Sequence, residues 1–329
     1  MGKHMSQNLG ILQERISTGI ASLALDRQPA GLYEPVAYCL KNGGKRMRPV
    51  MTLLGCQLFG GDPEEAVSAA VGLELFHNFT LMHDDIMDNA PIRRGQSAVH
   101  AKWGANTAIL SGDVLFALAF NQMLDVPDHA LRKVLALFNR TVIEVCEGQQ
   151  YDMDFERMDT VSERDYLEMI RLKTAVLPAA CLKTGAVIAG ASDEEADKLY
   201  CFGEHIGLAF QLKDDWLDVY GDESVFGKKN GGDIIANKKT WLTIKAFELA
   251  DATQVRVLEK AFSGGTPDPV EKVRQVREIY TQLGLRELAI QLMETYYARA
   301  FDCLESIAVP SARKEDLAAL AQSLFDRTH

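Results

Sequence analysis

The sequence predicts an all-α fold, on three observations. Apolar residues recur at helical spacing along most of the chain, as in Ala66, Ala69, Ala70, Leu73 and Phe76. Strand-like alternation sustained over several residues is scarce. Glycine and proline clusters at 60–63, 125–128, 220–233, 263–267 and 310–311 cut the periodic segments into helix-sized lengths. No composition shift or linker accompanies these breaks, so one domain over residues 1–329 is expected. Met1 to His4 precede a second methionine, Met5, and read as a cloning remnant.

With 329 residues, 47% hydrophobic and 25% charged, the chain can bury a large core, which excludes disordered and fibrous classes. A net charge of -11 argues against a nucleic-acid partner, because binding a phosphate backbone needs a clustered basic surface. An acidic chain that binds anionic substrates must gather its cations in one place or recruit metal ions. The six cysteines are widely spaced with no C-x-x-C pair and are expected to be reduced. The start lacks a signal-peptide pattern, and Asp113 and Lys183 interrupt the apolar runs 106–124 and 174–191. Those two runs are expected to be central, buried helices of a bundle with no membrane span, and the location to be cytoplasmic.

Two acidic motifs carry the chemistry. In the first, Asp84 and Asp88 stand four residues apart at the end of a helical pattern that starts near Glu65, one turn apart on one face, with Asp85 beside them. In the second, Gln211, Asp214, Asp215 and Asp218 fall at i, i+3, i+4 and i+7 and share a stripe. Leu208, Phe210, Leu212 and Leu217 around that stripe predict a helix embedded in apolar surroundings, its acids lining a cavity. Hard oxygen donors of this kind suit Mg²⁺, which takes one or two carboxylates and completes its octahedron with water and phosphate oxygens.

Cations stand near both motifs. Gly43-Gly44-Lys45-Arg46-Met47-Arg48-Pro49 sets a flexible glycine pair and three cations ahead of an apolar helix, suited to a phosphate group. Arg93 and Arg94 follow the first motif within a few residues, and Lys173-Thr174, Lys228 and Lys238 are further candidates. His77, seven residues before Asp84, returns to nearly the same helix face. The glycine-rich, charged stretch 226–233 reads as a candidate lid.

In this order and spacing over about residues 40 to 240, the motifs resemble those of the trans-isoprenyl diphosphate synthases, or polyprenyl synthetases. The resemblance implies an all-α, single-domain helical bundle around a deep central cavity, usually a homodimer. It implies condensation of isopentenyl diphosphate with an allylic diphosphate. By the same resemblance Asp84, Asp88 and Asp214 are ligands of a three-magnesium cluster, with Asp85, Asp215 and Asp218 in support. Lys45, Arg48, His77 and Arg94 correspond to the isopentenyl diphosphate site. Arg93, Lys173, Lys228 and Lys238 correspond to contacts of the allylic diphosphate, and Thr174 and Gln211 to residues that steady the allylic cation. Phe79, with Phe76 and Thr80, forms the expected floor that limits product length, which favours a C20 product and next a C15 one. A longer-chain synthase and a non-catalytic regulatory subunit are the alternatives; the latter typically lacks one acidic motif, and both are intact here. A terpene cyclase is disfavoured because Asp214, Asp215 and Asp218 stand where its second metal motif usually has Asn, Ser and Glu.

Overall fold

The computed structural model describes residues 2–41, 43–44, 46–221, 230–265 and 268–325. The expected helices are present: α1 (Gly2–Ala21), α2 (Ala30–Lys41), α3 (Met47–Leu58), α4 (Val67–Met87), α5 (Val99–Trp103), α6 (Ala105–Leu124), α7 (Asp128–Phe155) and α8 (Glu163–Ile170). After a π-helical turn at Arg171–Ala175 come α9 (Val176–Ile188), α10 (Asp193–Tyr220), α11 (Gly232–Ile235), α12 (Trp241–Leu249), α13 (Ala252–Phe262), α14 (Pro269–Gln282), α15 (Leu285–Ser306) and α16 (Ser311–Phe325). The only strands among the described residues are the two-residue pair Ile92–Arg93 and Gln96–Ser97. The breaks read from glycine and proline coincide with helix ends, and Asp62, Asp251 and Asp268 cap the elements that follow them by accepting backbone N–H bonds.

The chain forms two compact units. The first comprises Met1–Asn139, Ala180–Leu199 and Ala308–Leu317, and the second Arg140–Ala179, Tyr200–Ile307 and Ala318–His329. The boundaries at 139/140, 179/180, 199/200 and 317/318 fall inside helices, which is why no linker marks them in the sequence.

In the first unit α4 is the central helix, packed on α1, α2, α3 and α6. Its residues from Ala69 to Phe76 are all buried. Close helix approach is written into glycines: a Cβ on Gly185 would run into the Thr52 carbonyl oxygen, and one on Gly55 into that of Leu182. The second unit is centred on Tyr166, Leu208, Leu212, Trp241, Tyr280 and Met293, with the Tyr280 hydroxyl 2.9 Å from Thr243 Oγ1 and Trp241 Nε1 donating to Glu163 at 2.8 Å.

The two apolar runs behave differently. α9 is buried almost throughout, as expected. α6 is not central: one face packs on α4, while Ile109, Leu110, Phe120 and Leu124 are exposed by 42 to 58%. By length and composition alone α6 could cross a membrane, yet only 33% of its apolar window is buried here. Apolarity on two sides therefore reports a helix covered on one side by its own unit and carrying a second, uncovered apolar face. The cysteines also depart from expectation, since Cys201 and Cys303 form a disulfide within the second unit across a sequence separation of 102. A pairing that distant leaves no mark in local spacing.

Candidate active site

In the first unit the first acidic motif occupies the last turn of α4. The Asp88 amide donates to the Asp84 carbonyl at 2.8 Å, and the chain turns off through Asn89 at φ 49 as Ala90 N donates to the Asp85 carbonyl at 2.9 Å. Three carboxylates thus sit at the negative end of a helix dipole, where anions are disfavoured and cations are drawn in. A hairpin delivers the cations. Arg94 and Gly95, at φ 52 and 75, make the tight two-residue turn between the short strands, a conformation that needs positive φ at both positions. Arg93 then donates from Nε to Asp85 Oδ1 at 2.7 Å and from Nη2 to Asp84 Oδ2 at 3.3 Å. Arg94 Nη1 donates to the Gly43 carbonyl at 2.6 Å, and a Cβ on Gly44 would lie 2.9 Å from its guanidinium carbon, so the glycine pair makes the room.

Arg48, near the start of α3, donates from Nη1 to His77 Nε2 at 3.1 Å. Burial, together with the charges of Arg48, Arg94 and Arg93, holds the imidazole well below its ordinary value of 6.5. A neutral ring facing an arginine donor accepts at Nε2 and carries its hydrogen on Nδ1. Lys45 lies outside the described residues. The structure therefore brings together Arg48 with His77, and Arg93 with Asp84 and Asp85, and sets Arg94 on the glycine pair.

Behind the motif on α4, Phe76 is fully buried and Phe79 partly so. Their ring centroids are 5.8 Å apart, and both face Phe116, at 6.2 and 5.4 Å. Phe138 closes the cluster 5.5 Å from Phe76. Thr80 turns its hydroxyl back to the His77 carbonyl at 2.8 Å, as helical threonines commonly do. Phe76 is therefore locked among rings, and Phe79 is the ring with surface to offer.

In the second unit a pocket of about 350 Å³ is lined by Asp214, Asp215 and Asp218 of α10 together with Lys173, Thr174 and Gln211. Asp152 from the last turn of α7 and Asp233 from α11 add two more carboxylates. The π-helical turn Arg171–Ala175, a departure common at functional sites, carries Lys173 and Thr174. Lys173 pairs with Asp152 at 2.5 Å. Thr174 Oγ1 donates to Gln211 Oε1 at 3.1 Å, and Gln211 Nε2 donates to Asp215 Oδ1 at 3.0 Å. The buried Tyr166 hydroxyl donates to the other oxygen of Asp215. Burial pushes the Asp215 carboxyl up to about 8, against the pull of these two hydrogen bonds, with the charges of Asp233 and Asp214 adding to the rise. Asp218 accepts from the Asp233 amide at 3.0 Å and so caps α11. Lys238 stands 3.7 Å from Asp233. Lys228 and the first half of the glycine-rich candidate lid, 226–229, lie outside the described residues.

Several pocket residues, among them Tyr166, Asp152 and Lys239, escaped the sequence reading, which named Asp233 only as the end of the candidate lid. Tyr166 precedes Lys173 by seven residues, two helical turns, and that spacing was its one available signal. Asp152, Asp233 and Lys239 carry no local pattern and acquire meaning only through packing.

A family model for polyprenyl synthetase matches residues 29–283. The chain is 39% identical over 317 residues to a short chain isoprenyl diphosphate synthase of Methanothermobacter thermautotrophicus, covering 96% of this chain and 95% of that one. It resembles the crystal structure of a geranylgeranyl pyrophosphate synthetase from Pyrococcus horikoshii with a TM-score of 0.91 at 34% identity, over 99% of each chain. A polyprenyl synthase from Caulobacter crescentus, solved with calcium and isoprenyl diphosphate, superposes with a TM-score of 0.85 at 29% identity, covering 99% of this chain and 97% of that one.

The depressed His77 value has a pH consequence. Unfolded, the ring takes up a proton near 6.5; folded, it does so only at lower pH, so its contribution is complete above that value and is lost as pH falls below it. The loss reaches about 1.4 kcal/mol per pH unit. Denaturant midpoints measured above and below pH 6.5 should fall more steeply for the wild type than for His77→Gln, and parallel slopes would contradict a buried neutral imidazole.

Proposed function

The chain belongs to the polyprenyl synthetase family and is a prenyltransferase of the short-chain type, and from that premise we propose that it condenses isopentenyl diphosphate head-to-tail with an allylic diphosphate. The observation that carries this reading is the pair of acidic helix ends, each supplied with its own cations. The donors on offer are carboxylate oxygens alone, which fits a hard divalent cation. Asp84 and Asp88 on α4 and Asp214 on α10 are the residues we assign to magnesium, three ions in all, with Asp85, Asp215 and Asp218 kept in register by Arg93, Tyr166 and the amide of Asp233. Bound magnesium would neutralise the diphosphate as it leaves.

The remaining chemistry belongs to side chains. Arg93, Lys173, Lys228 and Lys238 take the allylic diphosphate, while Lys45, Arg48, His77 and Arg94 hold isopentenyl diphosphate. As the allylic carbon–oxygen bond breaks, its electron pair leaves with the diphosphate. The Thr174 and Gln211 oxygens, oriented by their mutual hydrogen bond and by Asp215, face the cation that remains. The double bond of isopentenyl diphosphate supplies the electrons of the new carbon–carbon bond. The proton then lost goes to the departing diphosphate. Phe79, the partly exposed ring of the two on α4, is the stop for the growing chain and favours a C20 product, with C15 next.

We also propose that the uncovered face of α6 pairs with a second copy of the chain. Leu110, Ala117 and Leu124 repeat every seven residues, with Asp113 and Phe120 between them, the a/d spacing of a helix–helix seam.

Two measurements test these readings. Purified protein given isopentenyl diphosphate, magnesium and each allylic primer in turn should release diphosphate and make C20 chains, with longer chains from Phe79→Ala. Absence of condensation with every primer would refute the reaction, and an unchanged length profile would refute Phe79 as the stop. Sedimentation should give a dimer for the wild type and a monomer for Phe120→Glu; a monomeric wild type, or a variant still dimeric, would remove α6 as the seam.

A further inference from the structure

Cys201, His205 and Cys303 belong to none of the machinery above. Cys201 lies on α10 thirteen residues before Asp214, about 20 Å along the helix at 1.5 Å per residue. His205 follows Cys201 by one helical turn, so both project from the same face, and Cys303 meets them from α15. The chain has only six cysteines and seven histidines in 329 residues, yet the donor atoms of these three all lie within 4.8 Å of one another. All three are partly exposed, so the cluster is reachable from solvent.

We propose that, when its disulfide is reduced, this cluster is a thiolate–imidazole site for a soft divalent metal ion, of which zinc is the best fit. The Cys201 Sγ to His205 Nδ1 separation is 3.6 Å. A tetrahedral ion with a sulfur leg of about 2.3 Å and a nitrogen leg of about 2.0 Å spans an edge of roughly 3.5 Å. Two ligands one turn apart on one helix and a third from a neighbouring helix leave the fourth position to water. The donor set is the chemical opposite of the aspartate motifs. Thiolate and imidazole select zinc over magnesium, and carboxylate oxygens suit magnesium, so the two kinds of site need not compete for the same ion.

The disulfide and the metal exclude each other. Two equivalents of a small thiol reduce the Cys201–Cys303 bond, giving two cysteine thiols and one small-molecule disulfide. Metal binding then displaces the two thiol protons, while the sulfurs part by side-chain rotation to roughly 3.8 Å, the edge between two 2.3 Å legs. His205 Nδ1, which lies 2.8 Å from the Cys201 carbonyl, gives up that hydrogen bond to ligate and carries its hydrogen on Nε2. Either linkage ties α10, the helix of the second acidic motif, to α15.

Cobalt alone is the probe, because its thiolate complexes absorb in the near ultraviolet and its carboxylate complexes do not. Titrated into the full chain, reduced with a phosphine and saturated with magnesium, cobalt should raise this absorption to a plateau at one ion per chain, and zinc should abolish it. The oxidised chain and Cys303→Ser should show none, and His205→Ala should need at least tenfold more cobalt. No thiolate absorption in the reduced wild type, or the same titration in His205→Ala, would overturn the proposal. The outcome is independent of prenyl transfer, since the signal arises from sulfur alone.

Discussion

Three helices end in carboxylates, and that is the arrangement the rest of the structure has to accommodate. Asp84, Asp85 and Asp88 lie at the C-terminal end of α4, Asp214, Asp215 and Asp218 in the last two turns of α10, and Asp152 in the last turn of α7. Each helix terminus already carries a partial negative charge, and like charges one turn apart add to the repulsion. At Asp215 burial is the larger cost: it pushes the carboxyl up to about 8, and the charges of Asp233 and Asp214 add to the rise. Stability by itself would not choose this pattern. Its compensations are visible: Arg93 held on Asp85 by a tight hairpin, Lys173 on Asp152 from a π-helical turn, and Tyr166, a core residue of its unit, with its hydroxyl on Asp215. On the proposed reading, divalent cations would supply the positive charge that the protein alone leaves short, and diphosphate would fill their remaining coordination positions.

Much of this was readable from the chain. Helix limits were legible because apolar spacing is strong and glycine and proline stand where the helices stop. The acidic stripes were legible because i and i+4 positions share a face whatever surrounds them. What surrounds them was not. Tyr166 and Asp233 become pocket residues only because α8 and α11 pack beside α10, and a single tyrosine or aspartate gives no hint of that. The Cys201–Cys303 bond joins positions 102 residues apart, beyond any local rule.

α6 shows a different limit. Hydrophobicity around a helix says that both faces avoid water, but not which molecule covers each. Burial of Ala108, Leu115 and Ala119 against α4 accounts for one face; Leu110, Phe120 and Leu124 are left for another partner. The expectation of a central helix failed there because it presumed that one chain would supply all the cover. Phe76 and Phe79 divide in the same way, adjacent on the sequence pattern but separated by packing into one ring that is sealed and one that retains surface.

The central claim is that the aspartate clusters cost stability until metal and diphosphate arrive, and thermal unfolding tests it most directly. The wild type should melt at a clearly higher temperature with magnesium and inorganic diphosphate together than with neither. Asp84→Asn and Asp214→Asn should each melt higher than the wild type without ligands and gain little from adding them. A wild type indifferent to the pair, or variants less stable than it in their absence, would contradict the account.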